Sequence, residues 1–285
     1  MGLPLKLYRQ RINTYINYMP KSIFYFIIFL TSLACAPSFA QDTARIINEN
    51  IHIPQLNRDR AIRIFLPAGY TSSKRAYPVI YMHDGQNLFS GTKDPAFSWY
   101  IDSLLKTYPP KKQVIIVGIN NGPNRIMEYN AWDSKYGTQE GVAYTDFIVN
   151  TLKPHIDSAY RTLKDAKHTV IAGSSMGGLI SMYAAVKYPR IFGTAGVFSP
   201  SFWIAPKMYE LIATGQPDIK SRFFLACGDQ EGDETAYVAR MDSLLLTKGF
   251  DRKHVPAPLI MKDARHNEAQ WRKAFAVFYA WWIMQ

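Results

Sequence analysis

The chain has 285 residues, of which 48% are hydrophobic, 14% aromatic and 19% charged. Those proportions suit one folded domain, or two small ones, and exclude a disordered tail and a fibrous repeat. The formal net charge is +11, yet no basic run exceeds two residues, so the surplus lacks the concentration typical of nucleic-acid binders and no nucleic-acid partner is expected.

Lys6, Arg9, Arg11 and Lys21 are the cations of the first 40 residues, which contain no acid, and the remainder carries +7. Residues 22 to 36 read SIFYFIIFLTSLACA and run into Ser38-Phe39-Ala40 before Gln41. A charged start, an apolar stretch too short for a comfortable span and a small-residue ending are the marks of a secretory signal peptide over residues 1 to 40. The expectation is a periplasmic or secreted protein with no stable membrane span after cleavage; a retained N-terminal anchor is the competing reading. Met19-Pro20-Lys21 would itself begin a compact signal, which makes Met19 the expected start. Cleavage would remove Cys35 and leave Cys227 alone, so no intrachain disulfide is expected, and neither cysteine has metal-site spacing.

Beyond Gln41, short β-branched runs alternate with helical patterns, the signature of a mostly parallel sheet covered by helices. Strands are predicted over 45 to 53, 61 to 66, 78 to 82, 114 to 117, 168 to 172, 194 to 198, 222 to 226 and 257 to 261. Pro54 and the polar segment 57 to 60 make the first two an antiparallel hairpin at one edge. Helices are predicted over 97 to 106, 141 to 160, 177 to 187, 234 to 248 and 267 to 283, the last with Trp271, Phe275, Phe278 and Trp282 on one core-facing stripe. Nothing marks an internal repeat or a linker, so residues 41 to 285 read as a single α/β domain, with a mostly parallel central sheet, helices on both faces and an N-terminal antiparallel edge hairpin.

Gly173-Ser174-Ser175-Met176-Gly177 follows one predicted strand and opens a predicted helix. This G-x-S-x-G pattern, in a strand, turn, helix context, is that of a nucleophile elbow, and its spacing assigns the nucleophile to Ser175 rather than Ser174. An ordinary tight turn is the bland alternative. A serine hydroxyl needs a base to take its proton and an acid to orient that base. Of the six histidines, His266 is best placed, after the last strand and before the last helix, while His155 and His168 read as surface or capping residues. The acid is expected after the strand at 222 to 226, where Asp229, Glu231, Asp233 and Glu234 all stand. A calcium loop would need its glycine elsewhere. The oxyanion donors are expected to be the backbone N–H of Met176 and one from the loop 83 to 86, with Gly85 and Gln86 the candidates. A zinc pair at His83 and Asp84 would lack a second ligand cluster, and no metal or organic cofactor is implied.

Tyr81-Met-His-Asp-Gly-Gln-Asn-Leu-Phe89, Val117-Gly-Ile-Asn-Asn-Gly122 with Arg125 and Glu128-Tyr129, Gly173 to Gly178, Ser199-Pro-Ser-Phe-Trp203 and His266-Asn-Glu-Ala-Gln-Trp271 together resemble the α/β-hydrolase esterase family that includes esterase D, feruloyl and acetyl-xylan esterases and siderophore trilactone hydrolases. The resemblance runs from about residue 45 to 283. It implies an α/β-hydrolase fold, Ser175 as nucleophile and His266 as base. It also implies an acid three positions after the glycine that ends the preceding strand, which here is Glu231 where many relatives have Asp, so Asp229 or Asp233 could substitute.

Loops after parallel strands gather on one edge, so Arg125, Trp132 and Trp203, with Trp99, are candidates to border the cleft and contact substrate. The alternative is that the aromatics close the core and that an Arg125 to Glu128 ion pair braces the loop. The expected activity is carboxylic ester hydrolysis through an acyl-enzyme, on small-molecule or carbohydrate-linked acetyl or feruloyl esters. Rival readings are a siderophore trilactone hydrolase, an acyltransferase and a non-catalytic carbohydrate-binding protein on a hydrolase scaffold. Formylglutathione hydrolysis is not expected, because a signal peptide would take the protein away from cytosolic thiols.

Overall fold

A computed structural model describes residues 42–284, so the expected signal peptide, Met19 and Cys35 lie outside the described residues. Strands β1 (Arg45–Ile53) and β2 (Arg58–Leu66) form the antiparallel hairpin, with Arg45 opposite Leu66 and Ile53 opposite Arg58. Asn57 takes a φ of 46° in the connecting turn, a conformation its short polar side chain tolerates. Six further strands follow: β3 (Val79–His83), β4 (Ile115–Ile119), β5 (Thr169–Ser174), β6 (Thr194–Phe198), β7 (Arg222–Gly228) and β8 (Leu259–Met261). They complete one sheet in the order β1-β2-β4-β3-β5-β6-β7-β8. β2 pairs antiparallel with β4, and every pairing from β4 to β8 is parallel. This is an α/β-hydrolase arrangement.

The side-chain period of a strand divides the core into two layers. Tyr81, Val117, Ile171, Val197 and Leu225 point into one; Ile80, Ile116, Val170, Phe198 and Phe224 point into the other. Both faces are buried, which is why these strands read as near-continuous apolar runs. The helices are α1 (Ile101–Leu105), α2 (Arg125–Glu128), α3 (Gly141–Phe147), α4 (Lys153–Ala159), α5 (Met176–Lys187), α6 (Lys207–Thr214), α7 (Glu234–Thr247) and α8 (Glu268–Ile283). The first layer packs against α3, α5, α6 and α7, and the second against α1 and α8, whose Trp271, Phe275, Phe278 and Trp282 are all buried.

The structure differs from the predicted elements where local backbone chemistry intervenes. The expected helix at 97 to 106 shrinks to α1, because a 3₁₀ turn at Pro95–Phe97 precedes it and Tyr100 sits at a φ of 50°. The expected helix at 141 to 160 contains a π turn, Ile148–Leu152, just ahead of Pro154, which has no N–H for a regular helical bond. β8 begins after Pro258 rather than at 257, since proline cannot donate to the ladder. The unforeseen α6 starts directly after Pro206.

Candidate active site

The carboxyl ends of β3, β5, β6 and β7 carry the residues of interest, and three of the backbone turns there are strained. Asp84, Ser175 and Ser199 have φ values of 56°, 58° and 42°, a region costly for non-glycine residues and retained only when the surroundings over-determine it. Ser175, with a ψ of −122°, is pinned on both sides. Its N–H donates to Phe198 O at 2.9 Å, and its carbonyl accepts from Ser201 N at 3.1 Å. The neighbouring glycines are required by close approach: a Cβ on Gly173 would fall 2.8 Å from the Gly177 carbonyl carbon, and one on Gly178 would fall 3.1 Å from Phe198 O. Met176 opens α5, so its N–H has no intrahelical acceptor and lies at the positive end of the helix dipole.

His266 stands between β8 and α8, and Asn267 caps α8 by accepting from Gln270 N. The imidazole Nδ1 lies 2.6 Å from Glu231 Oε2, with its ring edge-on to Trp271 at a centroid distance of 4.9 Å. The other carboxylate oxygen, Glu231 Oε1, accepts from Gly228 N at 2.5 Å and from the Ser199 hydroxyl at 2.9 Å. Trp271 Nε1 in turn donates to Ser199 Oγ at 2.9 Å. The Glu231 side chain is 1% exposed, so these donors replace the water it lost. Asp229 and Asp233 are exposed and make no contact with His266; the first accepts from Gln230 and the second precedes α7. The other surface histidines each meet a carboxylate away from Ser175: His52 with Asp59, His155 with Glu49, His168 with Asp165 and His254 with Asp251.

Ser175 and His266 line one cavity of about 340 Å³ together with Gln86, Phe97, Trp99 and Arg125. The Ser175 hydroxyl is 3.1 Å from the Ser201 hydroxyl and makes no hydrogen bond to the imidazole. Long or absent serine–histidine hydrogen bonds are common in substrate-free hydrolases and close in the reactive complex.

The turn after β3 is braced from three directions. Arg125 Nε and Nη2 donate to Asp84 Oδ1 and Oδ2 at 2.7 and 2.8 Å, and Asn121 Nδ2 donates to Oδ1 at 3.0 Å. Arg63 Nη1 reaches the carbonyls of Gly85 and Gln86, and Gln86 Oε1 accepts from Asn121 N. Gly85 is needed because a Cβ there would fall 2.5 Å from the Gly118 carbonyl carbon of β4. Gln86 borders the cavity, whereas Gly85 is buried behind it.

The other expected residues take these places. Arg125 pairs with Asp84 rather than with Glu128, which is fully buried between Arg58 and Arg60. The Arg125 fork is therefore committed to the turn and is not free to grip a substrate carboxylate with both nitrogens. Trp132 packs edge-on against Tyr183 at 5.5 Å and Trp203 is 48% exposed, and both lie outside the cavity lining. Trp99 and Phe97 supply its aromatic wall. His83 is buried, accepts or donates at Nδ1 with the Tyr144 hydroxyl, and leaves Nε2 unpartnered. Burial pushes its pKa down to about 3, against the pull of Asp84 and helped by Arg125, so it is a neutral packing group. Ser199, Ser201, Asp84 and Asn121 had no assigned role in the sequence. Asp84 and Arg125 are 41 positions apart, and no local pattern pairs them.

The strand order defines a protein of the α/β-hydrolase class, and the strained serine at the carboxyl end of β5 and the histidine–carboxylate pair mark its candidate active site. The chain belongs to the family described as "Putative esterase", whose signature matches residues 53–280. It is similar to the uncharacterized protein YbbA of Bacillus subtilis, 26% identical over 238 residues that span 78% of this chain and 92% of that protein. It is also similar to an endo-1,4-beta-xylanase/feruloyl esterase of Xylanibacter ruminicola, 23% identical over 221 residues, or 74% of this chain and 27% of that larger protein. Among solved structures, a ferulic acid esterase shares the fold with a TM-score of 0.67 at 18% identity, covering 85% of this chain and 98% of its own.

Proposed function

We propose that the chain is an exported serine esterase in which Ser175 is the nucleophile, His266 the general base and Glu231 the acid that orients it. One observation carries the reading: the buried Glu231 carboxylate meets His266 Nδ1 at 2.6 Å in the cavity wall that also holds the strained Ser175. A proton on Nδ1, facing Glu231, leaves the Nε2 lone pair as the basic site. In the proposed step the Ser175 hydroxyl leaves Ser201 and takes Nε2 as its acceptor. The hydroxyl oxygen then attacks the ester carbonyl while its proton passes to the imidazole. The developing oxyanion is met by the N–H of Met176 and by the turn holding Gly85 and Gln86. The imidazolium returns its proton to the leaving alcohol, and the acyl-enzyme is cleaved by water activated at the same nitrogen.

Phe97, 49% exposed, and Trp99 give the cavity an aromatic wall, which favours an aromatic acyl group of the feruloyl type over acetate. The order of charge, apolar stretch and small residues over positions 1 to 40 supports export of a domain running from 41 to 285. Ser175→Ala is expected to lower kcat/KM on p-nitrophenyl acetate by at least ~10³-fold with an unchanged circular dichroism spectrum. Retained turnover would remove the reading. Methyl ferulate is expected to be the better substrate, and product analysis with an added alcohol separates hydrolysis from acyl transfer.

A further inference from the structure

The edge of the sheet opposite Ser175 carries a basic side chain at or just ahead of each parallel strand. In spatial order, Lys111 precedes β4 and Arg75 precedes β3, Lys167 precedes β5 and Arg190 precedes β6. Lys220 precedes β7, whose first residue is Arg222, and Lys253 precedes β8. Two concavities run along this edge. One, of about 540 Å³, is lined by Lys167, Arg190, Lys220, Arg222 and Lys253; the other, of about 280 Å³, by Arg75, Lys111, Lys167 and Arg222. Lys167 and Arg222 line both, so the two adjoin and together make up one cationic groove.

The groove is poorly neutralised. Asp218 is the carboxylate in its lining, and its Oδ1 is engaged by the Lys220 N–H at 2.9 Å. Asp165 and Asp251 flank the groove and are held by His168 and His254. Among the described residues, none of the seven cations makes an ion pair. The Arg75 and Arg222 guanidinium groups donate to carbonyl oxygens, and Arg75 also lies over the Tyr77 ring. Arg222 is partly buried, and burial disfavours its charge. Attraction to helix carboxyl ends does not explain the row, because that effect fades within a turn. Lys220 and Lys253 lie six residues beyond the ends of α6 and α7. Clustered cations in a concave, low-dielectric wall focus a positive field and draw an anion.

We propose that this groove binds an acidic polysaccharide, a linear chain of carboxylate-bearing sugars. Its length across six strands suits a repeating polyanion better than a single ion. Trp282 is the aromatic residue in the lining and is 4% exposed, so nucleobases find no stacking platform. The surface is concave and dominated by cations, unlike the broad apolar face of an element that lies on lipid. A chain held there keeps the protein on a polymeric matrix and raises the local concentration of esters at the opposite edge. This binding does not depend on the esterase reading and is measured without turnover.

The test is isothermal titration of the purified protein with polygalacturonate at low salt, with neutral arabinoxylan, oligodeoxythymidylate and phosphatidylglycerol vesicles as comparisons. The comparison variant combines Lys167→Gln, Lys220→Gln and Lys253→Gln. Binding to polygalacturonate is expected to be the tightest of the four, to weaken as salt rises, and to fall roughly tenfold in the variant while its melting curve stays in place. No binding to polygalacturonate, equal affinity in the variant, or tighter binding to the oligonucleotide or the vesicles would overturn the proposal.

Discussion

At the carboxyl edge of the sheet Asp84 is held by Arg125, Glu231 by His266 and Glu128 by Arg58 and Arg60, and the backbone at Asp84, Ser175 and Ser199 is strained. At the amino edge of the same strands seven cations make no ion pair among the described residues, and no non-glycine residue there has a positive φ. Paired charges fix geometry, because each guanidinium or carboxylate fork has one good arrangement. Unpaired ones create a field that any suitably charged visitor can use. The carboxyl edge thus has the fixed geometry that the proposed chemistry at Ser175 requires, and its strain, about 1–3 kcal/mol per position, is held by the packing beneath it. The amino edge has no comparable demand for precision.

The largest effect separating the two edges is expected from Glu231→Gln. The amide keeps the size of the side chain but no longer fixes the Nδ1–H tautomer of His266, and kcat on an activated ester is expected to fall roughly 10³-fold. A fall of less than threefold would show that the buried carboxylate is only structural. A smaller loss is expected from Arg125→Met. It leaves the Asp84 carboxylate, 11% exposed, with Asn121 as its side-chain donor and loosens the Gly85-Gln86 turn. About 2 kcal/mol of stability and roughly tenfold in kcat should be lost, the first figure reduced from fully buried cases because Arg125 is partly exposed. Lys220→Met at the amino edge is expected to stay within about 0.5 kcal/mol of the parent in urea unfolding. Equal losses from the two substitutions would break the comparison.

The smallest effect is a pH dependence seated behind Glu231. Glu234 is buried at the start of α7 with Oε1 unpartnered, and burial, with the charge of Glu231, pushes its pKa from 4.5 up to about 8. Below pH 4.5 folded and unfolded chains both hold this proton. Between 4.5 and 8 the folded state keeps it while the unfolded state sheds it, so this group's contribution to stability is lost as pH rises through that window. His83 acts oppositely: its contribution is lost as pH falls from 6.5 toward 3, because the folded state refuses a proton the unfolded chain takes. Glu234→Gln is expected to raise the unfolding free energy at pH 8 relative to that at pH 5 by more than about 1 kcal/mol over the parent. The His83 contribution is common to parent and variant and cancels. An unchanged difference would mean that Glu234 is not a neutral acid in the folded protein.

Most strands were legible because burial on both faces leaves near-continuous apolar runs such as 114 to 117, and the stripe at Trp271, Phe275, Phe278 and Trp282 marked the last helix. The region 97 to 106 misled because its apolar residues face a core from a turn that Tyr100 bends into the left-handed region. Within the site, Ser175 was readable because its constraints are local: glycines at set positions between a strand and a helix. Glu231 was one of several carboxylates in a short acidic segment, and what singles it out is the strand-end amide of Gly228 and the Ser199 hydroxyl. The partnership of Asp84 with Arg125 and that of Ser175 with Ser201 arise from strand order, which brings β3, β4, β5 and β6 side by side. No spacing in the chain encodes those meetings.

The central claim is that the hydroxyl of Ser175 and the imidazole of His266 act as one unit, although the resting hydroxyl bonds to Ser201. The most direct measurement is a kinetic cycle of Ser175→Ala, His266→Ala and the double variant on p-nitrophenyl acetate. Groups that work through one proton transfer lose nearly everything when either is removed, so the double variant is expected to be no slower than the slower single one. Losses that multiply across the two substitutions, or a Ser175→Ala protein that still turns over, would contradict the account.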